Sequence, residues 1–174
     1  SLADTQRAYT KGQVDGLAST LIEAVQAEPL GGKPLKVVLI PDYSNGGDVI
    51  ISVPEITNVK QLEGKKVGAE ISSLGIYVLE RALNKAGLAL KDVSLINTEQ
   101  AQGEKALQEE RIDAFVSYPP ISVKLLRNGR YHKIFGSDEI PKEIIDTVAF
   151  SEEVIDRHPG FVEKFQQAWQ MALD

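Results

Sequence analysis

The chain has 174 residues, 43% hydrophobic and 25% charged, with a net charge of -6, the balance of a soluble globular protein built as one domain or two small lobes. The acidic excess disfavours nucleic acid and anionic membrane as partners, since both need basic patches and the longest cationic cluster is Lys65-Lys66. The absence of cysteine excludes disulfides, thiolate catalysis and cysteine-based zinc sites but does not decide the compartment, and neither a membrane-length apolar run nor a cleavable signal pattern is visible.

In chain order the pattern predicts a helix over 3–11, a strand over 14–19 and a helix over 20–28 with Leu21, Ala24 and Val25 inward. The breaker cluster Pro29-Leu30-Gly31-Gly32-Lys33-Pro34 must be a loop. Strands follow over 35–40 and 49–53, separated by the turn Asp42-Tyr43-Ser44-Asn45-Gly46-Gly47. A short helix over 56–66 is closed by Gly64 and leads into strand 67–70. Ser72 or Ser73 then caps an amphipathic helix carrying Leu74, Val78, Leu79, Ala82, Leu83 and Ala86 on one face, which Gly87 stops. The remainder alternates: strand 93–98, helix 100–110, strand 112–117, helix 120–127, strands 131–136 and 146–150, and a helical region over 152–173. Strands interleaved with helices predict an α/β fold with a mainly parallel sheet covered on both faces.

One segment occurs twice. Lys11 to Thr20 and Glu109 to Tyr118 both read as the end of a polar helix, a tight turn, a short buried strand opening on Val14-Asp15 or Ile112-Asp113, and a hydroxyl-bearing exit. The copies lie too far apart for a solenoid period, so they mark two related α/β lobes. In the second lobe a strand, a helix, a strand and a helix precede the copy; in the first lobe the matching first strand and helix would fall before Ser1. A lobe lacking that strand exposes hydrogen-bonding edges. The expectation is a fragment, with completion by a partner as the alternative.

The stretches "KGQVDGLASTLIEA", "PLKVVLIPDYSNGGDVI", "LEGKKVGAEISSLGIYVLERALNKAGLALKDVSLIN", "RIDAFVSYPP" and "DTVAFSEEVIDRHPGFVEKFQQAW", in this order and spacing, resemble the substrate-binding proteins of ABC importers of the nitrate, sulfonate, taurine and thiamine-precursor group. The resemblance implies a type II periplasmic-binding-protein-like fold: two α/β lobes joined by two crossovers, the first lobe lacking its N-terminal strand and helix. Lobe I is expected over 1–53 and 147–174 and lobe II over 54–146, with the chain crossing near Ser52–Asn58, returning near Asp146–Phe150, and its final helices packing on lobe I.

Candidate site residues come from both lobes. Ser72 and Ser73 open the amphipathic helix, whose free amides suit an anionic or carbonyl group; the competing reading is an ordinary N-cap. In related proteins this position reads Gly before Ser or Thr, and Ser72 replaces the Gly. Tyr118 and Pro120 match a Trp-Glu-Pro sequence in which Pro119 replaces the carboxylate, so Tyr118 offers an aromatic wall with a polar tip. By the repeat Thr20 is its counterpart, with Glu23 read as a solvated helix residue. Tyr43 and Ser44 sit in a Gly-rich turn of the kind that approaches ligands, Asp48 reads as structural, and Asp146 stands at the return crossover as a ligand contact or a solvated strand start.

His132 and His158 have no motif-spaced partners, and no phosphate loop, GxGxxG, metal pair or triad is visible. With no catalytic constellation to set against it, the resemblance implies a non-enzymatic solute-binding component without cofactor or metal, periplasmic or extracellular and membrane-associated. It is expected to take a small molecule such as a sulfonate, nitrate or thiamine precursor to an ABC permease, without contacting nucleic acid or inserting in the membrane. The sparsity of cations around the expected site favours a neutral, zwitterionic or monoanionic solute. The alternatives are a ligand-binding sensor domain and an enzyme on the same fold.

Overall fold

The computed structural model describes residues 2–71, 73–127 and 129–173, the side chain of Ala3 excepted. The chain divides into two units, residues 1–43 with 145–174 and residues 44–144.

The first unit comprises α1 (Leu2–Thr10), β1 (Gly16–Thr20), α2 (Leu21–Gln26), β2 (Leu35–Leu39), β8 (Asp146–Ser151), α6 (Glu152–Arg157) and α7 (Phe161–Leu173). Its three strands run in the order β1-β8-β2, with β8 antiparallel to both neighbours. Tyr9, Leu17 and Ala27 are buried together with Leu35 against them. Gly32 is required there, because a Cβ on it would stand 2.8 Å from the Ala27 carbonyl and 3.0 Å from the Tyr9 ring. The C-terminal helices join this unit through an aromatic cluster: Phe150 meets Phe161 and Phe165 edge-on at 4.8 and 5.3 Å between centroids, and Phe165 passes the contact on to Trp169. The expected single helical region is broken at Gly160, whose φ of +78° ends the turn between α6 and α7.

The second unit comprises β3 (Val49–Ser52), β4 (Lys66–Ala69), α3 (Leu74–Lys85), β5 (Ser94–Asn97), α4 (Gln100–Gln108), β6 (Ala114–Ser117), α5 (Ile121–Arg127) and β7 (His132–Gly136). Its sheet runs β5-β4-β6-β3-β7. The core gathers Val49, Ile51, Ala106, Leu107, Ile112, Phe115, Leu125 and Tyr131, and the apolar face of α3 is buried at Leu74, Val78, Leu79, Ala82 and Leu83 as the periodicity predicts. Gly103 lets α4 lie directly on the Phe115 ring, which a Cβ would meet at 2.1 Å.

Three expectations are corrected. The sheets are not mainly parallel: β4 pairs parallel with β5 and β6, whereas β3 is antiparallel to β6 and β7 and β8 is antiparallel to β1 and β2. The strands next to the crossovers cause this, since each lies in the interior of its sheet against the direction of both neighbours. The boundaries expected after residues 53 and 146 also move, to 43/44 and 144/145, because β3 is hydrogen-bonded between β6 and β7 and Asp146 already pairs with Thr20 in β8. The helix expected over 56–66 shrinks to a 3-10 turn at Val59–Leu62.

The repeat extends well beyond the segment that revealed it. Helices α1 and α4 have nine residues each and begin 98 positions apart, as do β1 and β6. Both helices end alike: Gly12 and Glu110 adopt φ of +67° and +56°, Gly12 N donates to Tyr9 O and Gln13 N to Ala8 O, and Glu110 N donates to Leu107 O and Arg111 N to Ala106 O. Gly16 lies opposite Phe150 and Ala114 opposite Ser52, so β8 and β3 are equivalents too. Even an irregularity recurs, as β2 skips Val38 and β7 skips Ile134 in pairing with those strands. Strands β4 and β5, beyond β6 in the second unit, have no counterpart beside β1 among the described residues of the first.

Candidate functional site

In the second unit the chain order β4, β5, β6 becomes the spatial order β5-β4-β6. The chain thus leaves β4 for one side and later returns to the other. Open α/β sheets place ligands outside the carboxyl ends of strands at such a switch point, here the ends of β4 and β6. Glu70 to Ser73 follow β4 and lead into α3; Ser117 and Tyr118 end β6.

Ser73 occupies the N-cap position of α3 in an extended conformation and is buried, but its side chain makes no cap hydrogen bond. Ser72 lies outside the described residues. Gly75 keeps the first turn of α3 close, with its Cβ position 3.4 Å from the Glu70 amide nitrogen and carbonyl oxygen. Tyr118 is half-buried, and its carbonyl accepts from Ser122 N.

Sequence reasoning gave no site role to two residues at this rim, Glu70 and Gln100. Glu70 is 5% exposed, and its Oε1 accepts from Gln100 N at the start of α4 at 3.3 Å. Gln100 in turn ties the end of β6, its Nε2 donating to Val116 O and its Oε1 accepting from the fully buried Ser117 hydroxyl. The signal that could have found Glu70 is a carboxylate set between the last apolar residue of a parallel strand and the helix that follows.

In the first unit Thr20 ends β1 directly opposite Asp146 at the start of β8, and Tyr43 bridges to the adjacent Ile145. Thr20, Tyr43 and Asp146 are thereby brought together, Tyr43 at 48% exposure and Asp146 half-buried. The Thr20 hydroxyl donates to Glu23, whose carboxylate also accepts from Thr20 N at 3.1 Å. Glu23 is fully buried, which corrects its reading as a solvated residue: reaching back to cap α2 draws it inward.

Ser44 belongs to the second unit and its hydroxyl is committed to a turn. It lies 2.8 Å from the Ser137 hydroxyl and accepts from Asp48 N, while Ser137 Oγ accepts from Gly46 N at 2.7 Å. His132 and His158 are exposed. Among the described residues no group of three or more His, Asp or Glu is placed to hold a metal, and no helix is long and apolar enough to cross a membrane.

Two α/β units, each with a crossover-adjacent strand in the interior of its sheet, the first built from two separate stretches of the chain and the second from one, define the lobes of a periplasmic-binding-protein-type fold. The family model described as NMT1/THI5 like matches residues 3–174, and the chain belongs to that family. A protein of Brucella abortus (strain 2308) named as a binding protein is 28% identical over 149 residues, 84% of this chain and 46% of the relative. The periplasmic aliphatic sulphonate binding protein SsuA of Escherichia coli superposes with a TM-score of 0.79 at 21% identity, over 95% of this chain and 57% of that one. The periplasmic nitrate-binding protein NrtA of Synechocystis PCC 6803 gives 0.73 at 12% identity, over 90% and 47%. The fold also carries an enzyme, the desulfurization enzyme DszB, at 0.62 and 16% identity over 83% and 57%. At these identities the superpositions establish the fold, and the chain spans about half the length of the relatives it matches.

Proposed function

We propose that the chain forms part of an extracytoplasmic solute-binding protein that presents a small molecule to an ABC permease. The observation that carries this reading is the family match over residues 3–174, and the switch-point rim at the ends of β4 and β6 supplies it with a place for a solute. In this reading Ser72, Ser73 and Tyr118 are the solute contacts offered by the second unit, and Tyr43 and Asp146 those offered by the first, where the Thr20 hydroxyl is already given to Glu23. Ser44 contributes by shaping its turn, because its hydroxyl is already bonded. Binding closes the lobes about the two connections, and the closed form is the one the permease reads.

A titration of the full-length protein with sulfonates, nitrate, bicarbonate, pyrimidines and amino-acid-like solutes, followed by melting temperature and calorimetry, tests the proposal. One class is expected to stabilise the protein. Replacing Tyr118 by Ala is expected to weaken that solute about tenfold, the loss of one aromatic wall, with the melting temperature of the unliganded protein little changed. Stabilisation only by nucleotides or nucleic acid contradicts it. The fold shared with DszB keeps one enzymatic reading in view, and turnover of a bound solute would decide for it.

A further inference from the structure

The N-terminus of a helix ordinarily welcomes an anion, because its first amides are unpaired and its dipole end is positive. Here α4 already has one from within the chain. Glu70 Oε1 accepts from Gln100 N at 3.3 Å, so the carboxylate fills the place an oxyanion would take. Its other oxygen, Oε2, has no hydrogen-bond partner although the residue is only 5% exposed. Buried polar groups are paired in the great majority of cases, and one that is not marks a place where a donor from outside would be rewarded. The next residue, Ile71, is 48% exposed, so Glu70 lies where the buried strand gives way to solvent.

The neighbouring groups do not offset that charge. The Asn97 side-chain oxygen accepts from Ile71 N, the Thr98 hydroxyl donates to Ile96 O, and the Ser117 hydroxyl donates to Gln100; none of these bonds is directed to a ligand. The three segments that end the parallel strands, 67–74, 94–103 and 114–122, contain no lysine or arginine but do contain Glu70 and Glu99. An incoming oxyanion would meet a like charge at the α4 terminus with no cation in those three segments to balance it, whereas an N–H group would gain a charge-assisted bond to a carboxylate oxygen that is now unpaired.

We infer that Glu70 selects a solute carrying an N–H donor, such as an amine, amidine or ring amino group, over a bare oxyanion. The inference rests on the solute-binding reading proposed above and narrows it to amino-bearing solutes, zwitterions included, in which the amino end meets Glu70.

The test uses pairs of probes that differ only in the amino group: taurine with ethanesulfonate, β-alanine with propionate, and 4-aminopyrimidine with pyrimidine. Each is titrated into the full-length wild-type protein and into Glu70→Gln, which keeps the shape and removes the charge. The wild type is expected to bind the amino member of at least one pair tenfold or more tightly than its partner, and Glu70→Gln to erase that preference. A carboxylate that only caps α4 would instead weaken both members equally on substitution. Should Glu70→Gln not fold, Glu70→Asp, charged but shorter, is expected to reduce the preference without reversing it. Equal or tighter binding of the member lacking the amino group in every pair that binds the wild type overturns the inference and leaves solute binding standing, as does a preference that survives in both variants. Failure of every probe to bind overturns both.

Discussion

Glu143 lies just before the point where the chain leaves the second unit, and three donors from α3 hold it there. Arg81 Nε and Nη2 donate to its two oxygens at 2.6 and 2.8 Å, and the Tyr77 hydroxyl donates at 2.8 Å. The Arg81 hydrogen bonds, against the opposing effect of burial, bring the Glu143 carboxyl from 4.5 down to about 2. A folded-state value below the unfolded one means that this stabilisation is fully present above about pH 4.5 and is lost as the pH falls towards 2. The melting temperature of the wild type is therefore expected to fall more steeply across that window than that of Glu143→Gln; parallel curves would show that the cluster adds nothing to stability. At this scale the sequence was least legible. Ser44 and Thr20 have the residue type and loop position of ligand contacts, but Ser137, the partner of Ser44, lies 93 positions away, and no local pattern discloses it. Glu70 was read as the last residue of a strand, because a carboxylate at a strand end has a special environment only once the order of neighbouring strands is known.

The paired helix ends allow an experiment within one molecule. The same left-handed position is filled by Gly12 after α1 and by Glu110 after α4. A residue with a Cβ pays about 1 kcal/mol there, which glycine avoids at the expense of greater freedom in the unfolded chain. Glu110→Gly is accordingly expected to raise stability by about 0.5–1 kcal/mol and Gly12→Ala to lower it by about 1 kcal/mol, read from denaturant midpoints; a loss of stability in Glu110→Gly would show that the Glu110 side chain outweighs its backbone strain. Elements with strong periodicity and clear stops, α3 above all, were legible in the sequence. Strand direction was not, because an apolar run carries no record of its neighbours, and the mixed pairing of β3 and β8 emerges only once both connections are placed.

The two units are unequally finished. Among the described residues nine exposed large apolar or aromatic side chains belong to the first unit, including Val25, Leu30, Ile40, Met171 and Leu173, and only Ile71 and Val123 to the second. The first unit's sheet has three strands, and β1 has hydrogen-bonded neighbours on one side only. We expect residues 44–144 expressed alone to unfold as one cooperative transition, and in the whole chain backbone amides of β3, β4 and β6 to exchange with deuterium more slowly than those of β1 and β2. Equal protection in both units would contradict this difference in stability. The two-lobed plan itself was legible from one repeated decapeptide, because a duplicated fold preserves the spacing of its helix stops and strand starts.

The strands beside the connections have a mechanical consequence. Residues 44–48 run straight into β3 and Ile145 straight into β8, and each of these strands is clamped between two others, β6 and β7 or β1 and β2. Tyr43 pairs with Ile145, and Ser44 N donates to Ile144 O at 2.9 Å. A pull on either connection therefore reaches its sheet through an interior strand, where ladders on both sides resist peeling. Within each sheet such a strand can be drawn out only by breaking two rows of hydrogen bonds together, whereas an edge strand peels along one.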